Sequence, residues 1–260
     1  MPTRKRQDRL SIILKAVRET RGASIRELAG SLGVSEMTVR RDLELLASES
    51  RIRFVHAGAI PLENQSEGAA GDYSLSGAKA AGAEEKMRIG QKAASLVESG
   101  DVVIIDSGST TEWLARSLSP DLSVTILCFS LNVLLEAGRS PLRTILCAGG
   151  ALNPDTLVFQ GPEGLDLVRR YRAGKAFFSA GGVSDRLGVT CTDPAEAELK
   201  KAAIASSQTR ILLVDSRKFA TVKPAWFAEL SDFDAIITDA GISLDFVEII
   251  RERGIALHVV

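Results

Sequence analysis

Histidine is nearly missing from this 260-residue chain: His56 and His258 are the only two, which excludes a metal centre built on several imidazoles. Cysteine is also scarce. Cys128, Cys147 and Cys191 are odd in number and far apart, without metal-ligand spacing, so reduced thiols are expected and no metal site. No apolar run reaches the roughly 20 residues that a membrane-spanning helix needs. The first ten residues, MPTRKRQDRL, are charged and lack the apolar stretch of a signal peptide. These absences lead us to expect a cytoplasmic protein with no membrane partner. Neither a Walker loop nor a GxGxxG fingerprint is present, so a nucleoside triphosphate or a dinucleotide is not indicated, and no cofactor is expected.

The net charge of −1 hides a division within the chain. Residues 1–60 hold 12 Lys/Arg against 7 Asp/Glu, whereas residues 61–260 hold 20 against 26. A basic head on an acidic body fits a nucleic-acid module joined to a domain with another task.

The head carries the clearest pattern. Residues 25–46, IRELAGSLGVSEMTVRRDLELL, read as two short amphipathic helices around a Gly-Val turn. Ile25, Leu28, Ala29 and Leu32 form the inward stripe of the first. Gly33 permits a left-handed exit, and Ser35 can cap the second helix. There, Val39, Leu43 and Leu46 share one face, while Met37, Thr38, Arg40, Arg41 and Glu44 point the other way. A short capped helix with adjacent outward arginines, set after a tight turn, is what reading a major groove requires. A preceding helix, Arg6 to Thr20, supplies Leu10, Ile13, Leu14 and Val17 as support. Residues 51–56 alternate as a strand and, with Ala57-Gly58-Ala59, can form a wing. Arg51 and Arg53 fall on one side of it, either as phosphate contacts or as plain exposed charges.

Residues 61–83 are rich in Gly, Ala and Ser with little periodicity, the composition of a linker. We therefore divide the chain into a DNA-binding head (1–60), a linker (61–83) and a body (84–260). Beyond the linker, short β-branched runs alternate with helical segments. Runs at 102–105, 124–127, 144–148, 176–179, 211–214, 235–238 and 255–260 are interleaved with helices at 85–98, 111–118, 130–137, 161–171, 194–205 and 244–253. This is the pattern of an α/β domain with a mainly parallel sheet covered on both faces.

In such a sheet, ligands bind beyond the carboxyl ends of strands where the strand order reverses. The outstanding loop is Asp106-Ser107-Gly108-Ser109-Thr110-Thr111, between the run at 102–105 and the next helix. Small hydroxyl residues around a glycine let backbone N–H groups converge at a helix N-terminus, which suits a phosphate or another anion. The same residues also satisfy the geometry of an ordinary strand-to-helix turn. Other strand ends offer Asn132, Gly149, Gly150 and Gly181, as close backbone approaches or as simple turns. Lys200 and Lys218 are the candidate cations, each also readable as a surface lysine.

Together these residues resemble the DeoR family of bacterial transcription regulators. VSEMTVRRDLELL is similar to the family's VSxxTIRRDLxxL signature. DSGSTT, Gly149-Gly150, EAELKK (196–201), DSRK (215–218) and ITD (237–239) follow in the family's order. The resemblance implies a winged helix-turn-helix joined to a sensing domain similar in fold to ribose-5-phosphate isomerase. It also implies a repressor of a carbohydrate operon that binds double-stranded operator DNA and a phosphorylated sugar or polyol effector, acting as a homo-oligomer, dimer or tetramer. Some positions depart from the family pattern. Phe54 and Ala57 stand in the wing where Arg and Gly are usual. Ala78 and Gly82 replace the linker's Arg and Asn, and Cys128-Phe129 replaces Thr-Asn. The competing expectation is a sugar-phosphate isomerase with an appended DNA-binding head. Isomerisation needs a general base over the substrate carbon, yet Ser179-Ala180-Gly181-Gly182-Val183 holds no acid before Asp185. We therefore expect a regulator without catalytic residues.

Overall fold

The computed structural model describes residues 4–20, 22–55, 57–62 and 75–260; His56 and residues 63–74 of the expected linker lie outside them. In the head, α1 (Arg4–Glu19), α2 (Ile25–Leu32) and α3 (Glu36–Ser48) pack beside a three-stranded antiparallel sheet. Its strands are β1 (Ala23–Ser24), β2 (Ile52–Val55) and β3 (Gly58–Pro61), in the order β1-β3-β2. This is a winged helix-turn-helix.

Gly33 and Ser35 take the capping roles expected of them, and a further cap was not foreseen. Ser24 and Glu27 form a reciprocal capping box on α2, and Gly33 closes that helix at φ 63°. The Ser35 hydroxyl accepts from the Thr38 N–H at the start of α3. Leu10, Ile13, Leu14 and Val17 of α1 enclose Leu28, Val39, Leu43 and Leu46. Each such fully buried side chain contributes about 1.5–3 kcal/mol of transfer free energy. Asp42 is buried on α3 and is held by two guanidinium groups of α1, Arg6 Nε at 3.0 Å and Arg9 Nε at 2.5 Å. That pair of ion pairs fixes the angle between the supporting and the reading helix.

The segment expected as linker contains a helix, α4 (Leu75–Ala80), with Leu75 buried. Its composition hid this because Ala, Ser and Gly make no apolar stripe of their own; α4 is fixed by what it docks on.

The body opens with α5 (Ala83–Ala94) and is built on seven strands. These are β4 (Val102–Ile105), β5 (Thr125–Cys128), β6 (Thr144–Cys147), β9 (Ala173–Ser179), β12 (Ser207–Leu213), β14 (Ala235–Thr238) and β15 (Ala256–Val259). All six neighbouring pairs are parallel, in the order β15-β14-β12-β9-β4-β5-β6. One face is covered by α5, α6 (Ser109–Ser117) and α7 (Leu131–Ala137), around Ile89, Leu114 and Val133. The other is covered by α8 (Pro162–Arg170), α9 (Pro194–Ala205) and α10 (Leu244–Glu252), around Val168, Leu199 and Ile250.

Two further units were not foreseen. A small antiparallel sheet, β10 (Gly182–Ser184), β11 (Gly188–Cys191) and β13 (Ala225–Ala228), lies against the second face. A hairpin of β7 (Ala151–Leu152) and β8 (Phe159–Gln160) follows β6. These strands are two to four residues long, too short for a periodic signal. The head rests on the first of them: Leu187, in the β10–β11 turn, packs with Val55 and Ile60, and Arg186 Nε lies 3.3 Å from Glu27.

Candidate functional site

From β4 the chain runs outward through β5 and β6, then returns to add β9 on the other side of β4 and continues outward to β15. Strand order therefore reverses between β4 and β9. The loops leaving their carboxyl ends diverge there and open a cleft. Ser107, Gly108, Ser109 and Thr110 line one side of it, Ser179, Ala180 and Gly181 another, and Asp215 and Lys218 a third.

The loop 106–111 joins β4 to α6. Gly108 precedes α6 at φ 124°, and α6 has no side-chain cap, unlike α2, α3, α9 and α10. The N–H groups of its first turn thus have neither an intrahelical nor a side-chain cap partner, as in α5, α7 and α8, and here Ser109 and Thr110 line the cleft. A glycine is required: a Cβ on Gly108 would stand 2.5 Å from Ser179 Oγ. Ser179 Oγ donates to the Ser107 carbonyl at 2.6 Å, Thr111 Oγ1 to the Gly108 carbonyl at 3.1 Å, and Asn132 Nδ2 to the same carbonyl at 3.1 Å.

The expected ligand residues divide into three groups. Ser107, Gly108, Ser109, Thr110, Gly181 and Lys218 line the cleft. Asp106, Thr111, Asn132 and Lys200 lie beneath or behind the loop and hold it. Lys200 is wholly buried: its Nζ binds Asp106 Oδ2, the Ser179 carbonyl at 3.2 Å and Glu196 Oε1 at 2.9 Å. Burial alone would lower the Lys200 pKa, but Asp106 and Glu196 more than offset it and hold the ammonium above its usual range. Burial raises the Asp106 carboxyl against the pull of Lys200. A charge with all its partners inside the protein is a keystone of the loop, and Lys200 is corrected to that role. Gly149 and Gly150 are not at the cleft. Gly150 takes φ 133° against the Gln160 carbonyl and Gly149 backs onto Gly164 of α8, so the pair serves the β7–β8 hairpin.

The sequence reading missed Lys86. It lines the cleft from α5, is buried, and donates to the Ala78 carbonyl of α4, which lines the cleft too. Burial lowers its pKa to about 8, assisted by the cations Lys218 and Arg217 and opposed by Asp215. A signal was present: Lys86 continues the buried stripe Ile89, Gly90, Ala93 of α5, a charge where an apolar residue belongs. Two carboxylates at the cleft were also passed over. Glu196 Oε1 accepts from Ser107 Oγ at 2.8 Å. Asp215 Oδ1 accepts from Arg217 Nε at 2.9 Å, while its buried Oδ2 has no hydrogen-bond partner. Asp185, the first acid after the β9 loop, sits in the β10–β11 turn, where its carbonyl accepts from Arg253.

The helix α4 forms part of the cleft wall and is tied down on several sides. Lys79 Nζ meets Glu112 Oε1 at 2.8 Å, Arg217 Nη2 donates to the Ala81 carbonyl at 2.8 Å, and the Leu75 N–H donates to the Asp155 carbonyl at 3.0 Å.

In the head, Met37, Arg40 and Arg41 are exposed on one side of α3, and Thr38 is bound to Ser35 at its start. Arg40 stacks over Phe54 of β2, 5.6 Å from the ring centroid. Strand alternation puts Arg51 and Arg53 on the opposite side from Phe54. Arg51 pairs with Glu49 at 3.6 Å and lines a shallow depression with Lys15 and Arg18 of α1. The structure thus gathers Met37, Thr38, Arg40 and Arg41 and sets Arg51 and Arg53 apart. Among the described residues, no group of acidic, His and Cys side chains is arranged to hold a metal, and no helix is long and apolar enough to cross a membrane.

Both regions fall in parts of the chain that match known families. Residues 9–65 match the DeoR-like helix-turn-helix domain and residues 81–240 the DeoR C terminal sensor domain. The deoxyribose operon repressor of Escherichia coli K12 is 33% identical over 99% of this chain and 99% of its own length. The lactose phosphotransferase system repressor of Staphylococcus epidermidis is 32% identical, covering 89% of this chain and 91% of its own. Among solved structures, ribose 5-phosphate isomerase A of Methanocaldococcus jannaschii matches at 19% identity and a TM-score of 0.37, over 52% of this chain and 53% of that one.

Proposed function

This chain belongs to the DeoR family of transcription regulators, and we propose that it represses a carbohydrate operon under the control of a phosphorylated sugar or polyol. The observation that carries the effector reading is the uncapped N-terminus of α6, opening onto a cleft that also holds Lys86 and Lys218. The phosphate accepts from the N–H groups and the hydroxyls of Ser109 and Thr110, and the two lysines neutralise it. The free Asp215 Oδ2 accepts a hydroxyl of the carbon chain.

On DNA, Met37, Thr38 and Arg41 reach base edges in the major groove and Arg40 holds a phosphate. Arg51 and Arg53 contribute positive potential without a base contact. Two heads from a homo-oligomer read the two halves of the operator.

Coupling runs through α4. An effector acts as a switch only if it binds two arrangements of the protein unequally. Lys86 supplies that inequality, because a phosphate competes with the Ala78 carbonyl for its ammonium. Effector binding then loosens α4, which stands between body and head, and releases DNA.

The cleft carries no turnover. Glu196 is engaged by Ser107 and Lys200, and Asp215 pairs with Arg217 through Oδ1 and keeps Oδ2 for a hydroxyl of the ligand. A thermal-shift screen of sugar phosphates against the free sugars tests the whole reading. A ligand at about 100 times its Kd stabilises the protein by about 2.7 kcal/mol. A response confined to phosphorylated compounds, with loss of operator binding in a mobility-shift assay, is the expected result. Response to none, or isomerase turnover of a bound compound lost in Glu196→Gln or Asp215→Asn, overturns it.

A further inference from the structure

Cys128 ends β5 and Cys147 ends β6, and the two are direct partners in the parallel ladder. Partnered residues on adjacent strands put their side chains on one face, with backbones about 4.8 Å apart. That separation lies within the roughly 4.4–6.8 Å between α-carbons that a disulfide bridges. The pair Ile126 and Ile145, two residues earlier, shares this face and packs in the core beneath α5, α6 and α7. Cys128 is fully buried there, whereas Cys147, on the edge strand, is partly open to solvent. The neighbouring Cys128 thiol holds the Cys147 thiol below its usual range, whereas the Cys128 thiol itself is pushed up by its partner and by burial. The third thiol, Cys191, lies in the core on the other face of the sheet, and burial raises it.

We propose that Cys128 and Cys147 form a dithiol oxidation site, converted by a hydroperoxide into a disulfide that joins β5 to β6. The Cys147 thiolate attacks one peroxide oxygen and the O–O bond breaks. The other oxygen leaves, taking a proton, as an alcohol or water, and Cys147 becomes a sulfenic acid. The Cys128 sulfur then attacks the Cys147 sulfur and gives up its proton; the S–O bond breaks and hydroxide departs with that proton as water. Two thiols are oxidised by two electrons and one peroxide bond is reduced. Cys147 is the attacking residue because it is the one of the pair that solvent reaches, and the fully buried Cys128 is the resolving one.

The test exposes the full chain to hydrogen peroxide, blocks remaining thiols with N-ethylmaleimide in denaturant, and maps peptides without reduction. The expected product is a Cys128–Cys147 linked peptide that dithiothreitol reverses, with Cys191 fully alkylated. In Cys128→Ser, dimedone labels Cys147 as the trapped sulfenic acid; in Cys147→Ser, neither link nor label forms. These conservative variants are checked for folding by circular dichroism. Complete alkylation of Cys147 after excess peroxide, dimedone on Cys128 in place of Cys147, or links through Cys191 would overturn the proposal.

Discussion

The Lys86 ammonium donates to the Ala78 carbonyl, so the first helix of the body grips the helix that follows the head. The same ammonium lines the cleft. A single buried cation therefore belongs at once to the cleft wall and to the contact that holds α4.

Replacing Lys86 by Met keeps the aliphatic stem and removes the charge. Effector affinity should fall at least about tenfold, equivalent to about 1.4 kcal/mol. Titration calorimetry against the compound found by thermal shift measures this directly. Unchanged affinity would remove Lys86 from the site.

The lowered pKa of Lys86, about 8 in the free protein, gives that affinity a pH dependence. The anion binds best to the protonated amine, so affinity should decline as pH rises through about 8, and Lys86→Met should flatten the profile. Folding stability moves the other way. The unfolded lysine keeps its proton to about 10.5. Between about 8 and 10.5 the unfolded chain binds more protons, and this residue's contribution to stability rises with pH. Calorimetric titrations and urea melts across that window separate the two effects.

Gly108→Ala asks an L residue to adopt φ 124° and pushes a methyl to 2.5 Å from Ser179 Oγ. Strain of this kind costs about 1–3 kcal/mol. Urea denaturation should show the loss, accompanied by weakened effector binding.

Lys200 and Lys218 looked alike in the sequence and should behave differently. Lys200→Met leaves the Asp106 and Glu196 carboxylates without their cation, and removing one partner of a buried ion pair costs about 3–5 kcal/mol. Lys218 is only half-buried. Lys218→Met should change stability by no more than about 0.5 kcal/mol while weakening the effector. Equal destabilisation of both variants would contradict their separate roles.

Arg41→Ala should cost about 1–3 kcal/mol in operator binding and relax the preference at one base pair. Competition assays with single-base operator variants measure both. Uniform weakening on every sequence would make Arg41 a phosphate contact instead.

How much of this was legible beforehand follows from the length and regularity of each signal. The strand at 102–105 and the helix at 194–205 fall where their patterns put them, because continuous β-branched runs and a Pro-led helix leave little freedom. The caps at Ser35 and Gly33 were equally clear, being local chemistry. Three things were not. β10, β11 and β13 are too short to show alternation and owe their pairing to the core they cover. α4 has no stripe and is defined by Lys79, Arg217 and Leu75 reaching neighbours far along the chain. The division between cleft-lining Lys218 and buried Lys200 depends on which direction a helix faces, settled by the Asp106 carboxylate 94 residues away.

The contact of Leu187 with Val55 and Ile60 gives β10 a particular meaning. That strand starts beside Gly181 at the cleft and ends in the turn on which the head rests. It is three residues long, about 10 Å at 3.3 Å per residue. The strand therefore links the cleft to the turn that carries the head, independently of α4. A change in the loop at Gly181 thus has a path of three residues to the hinge at Leu187, on which the head can tilt as one rigid piece.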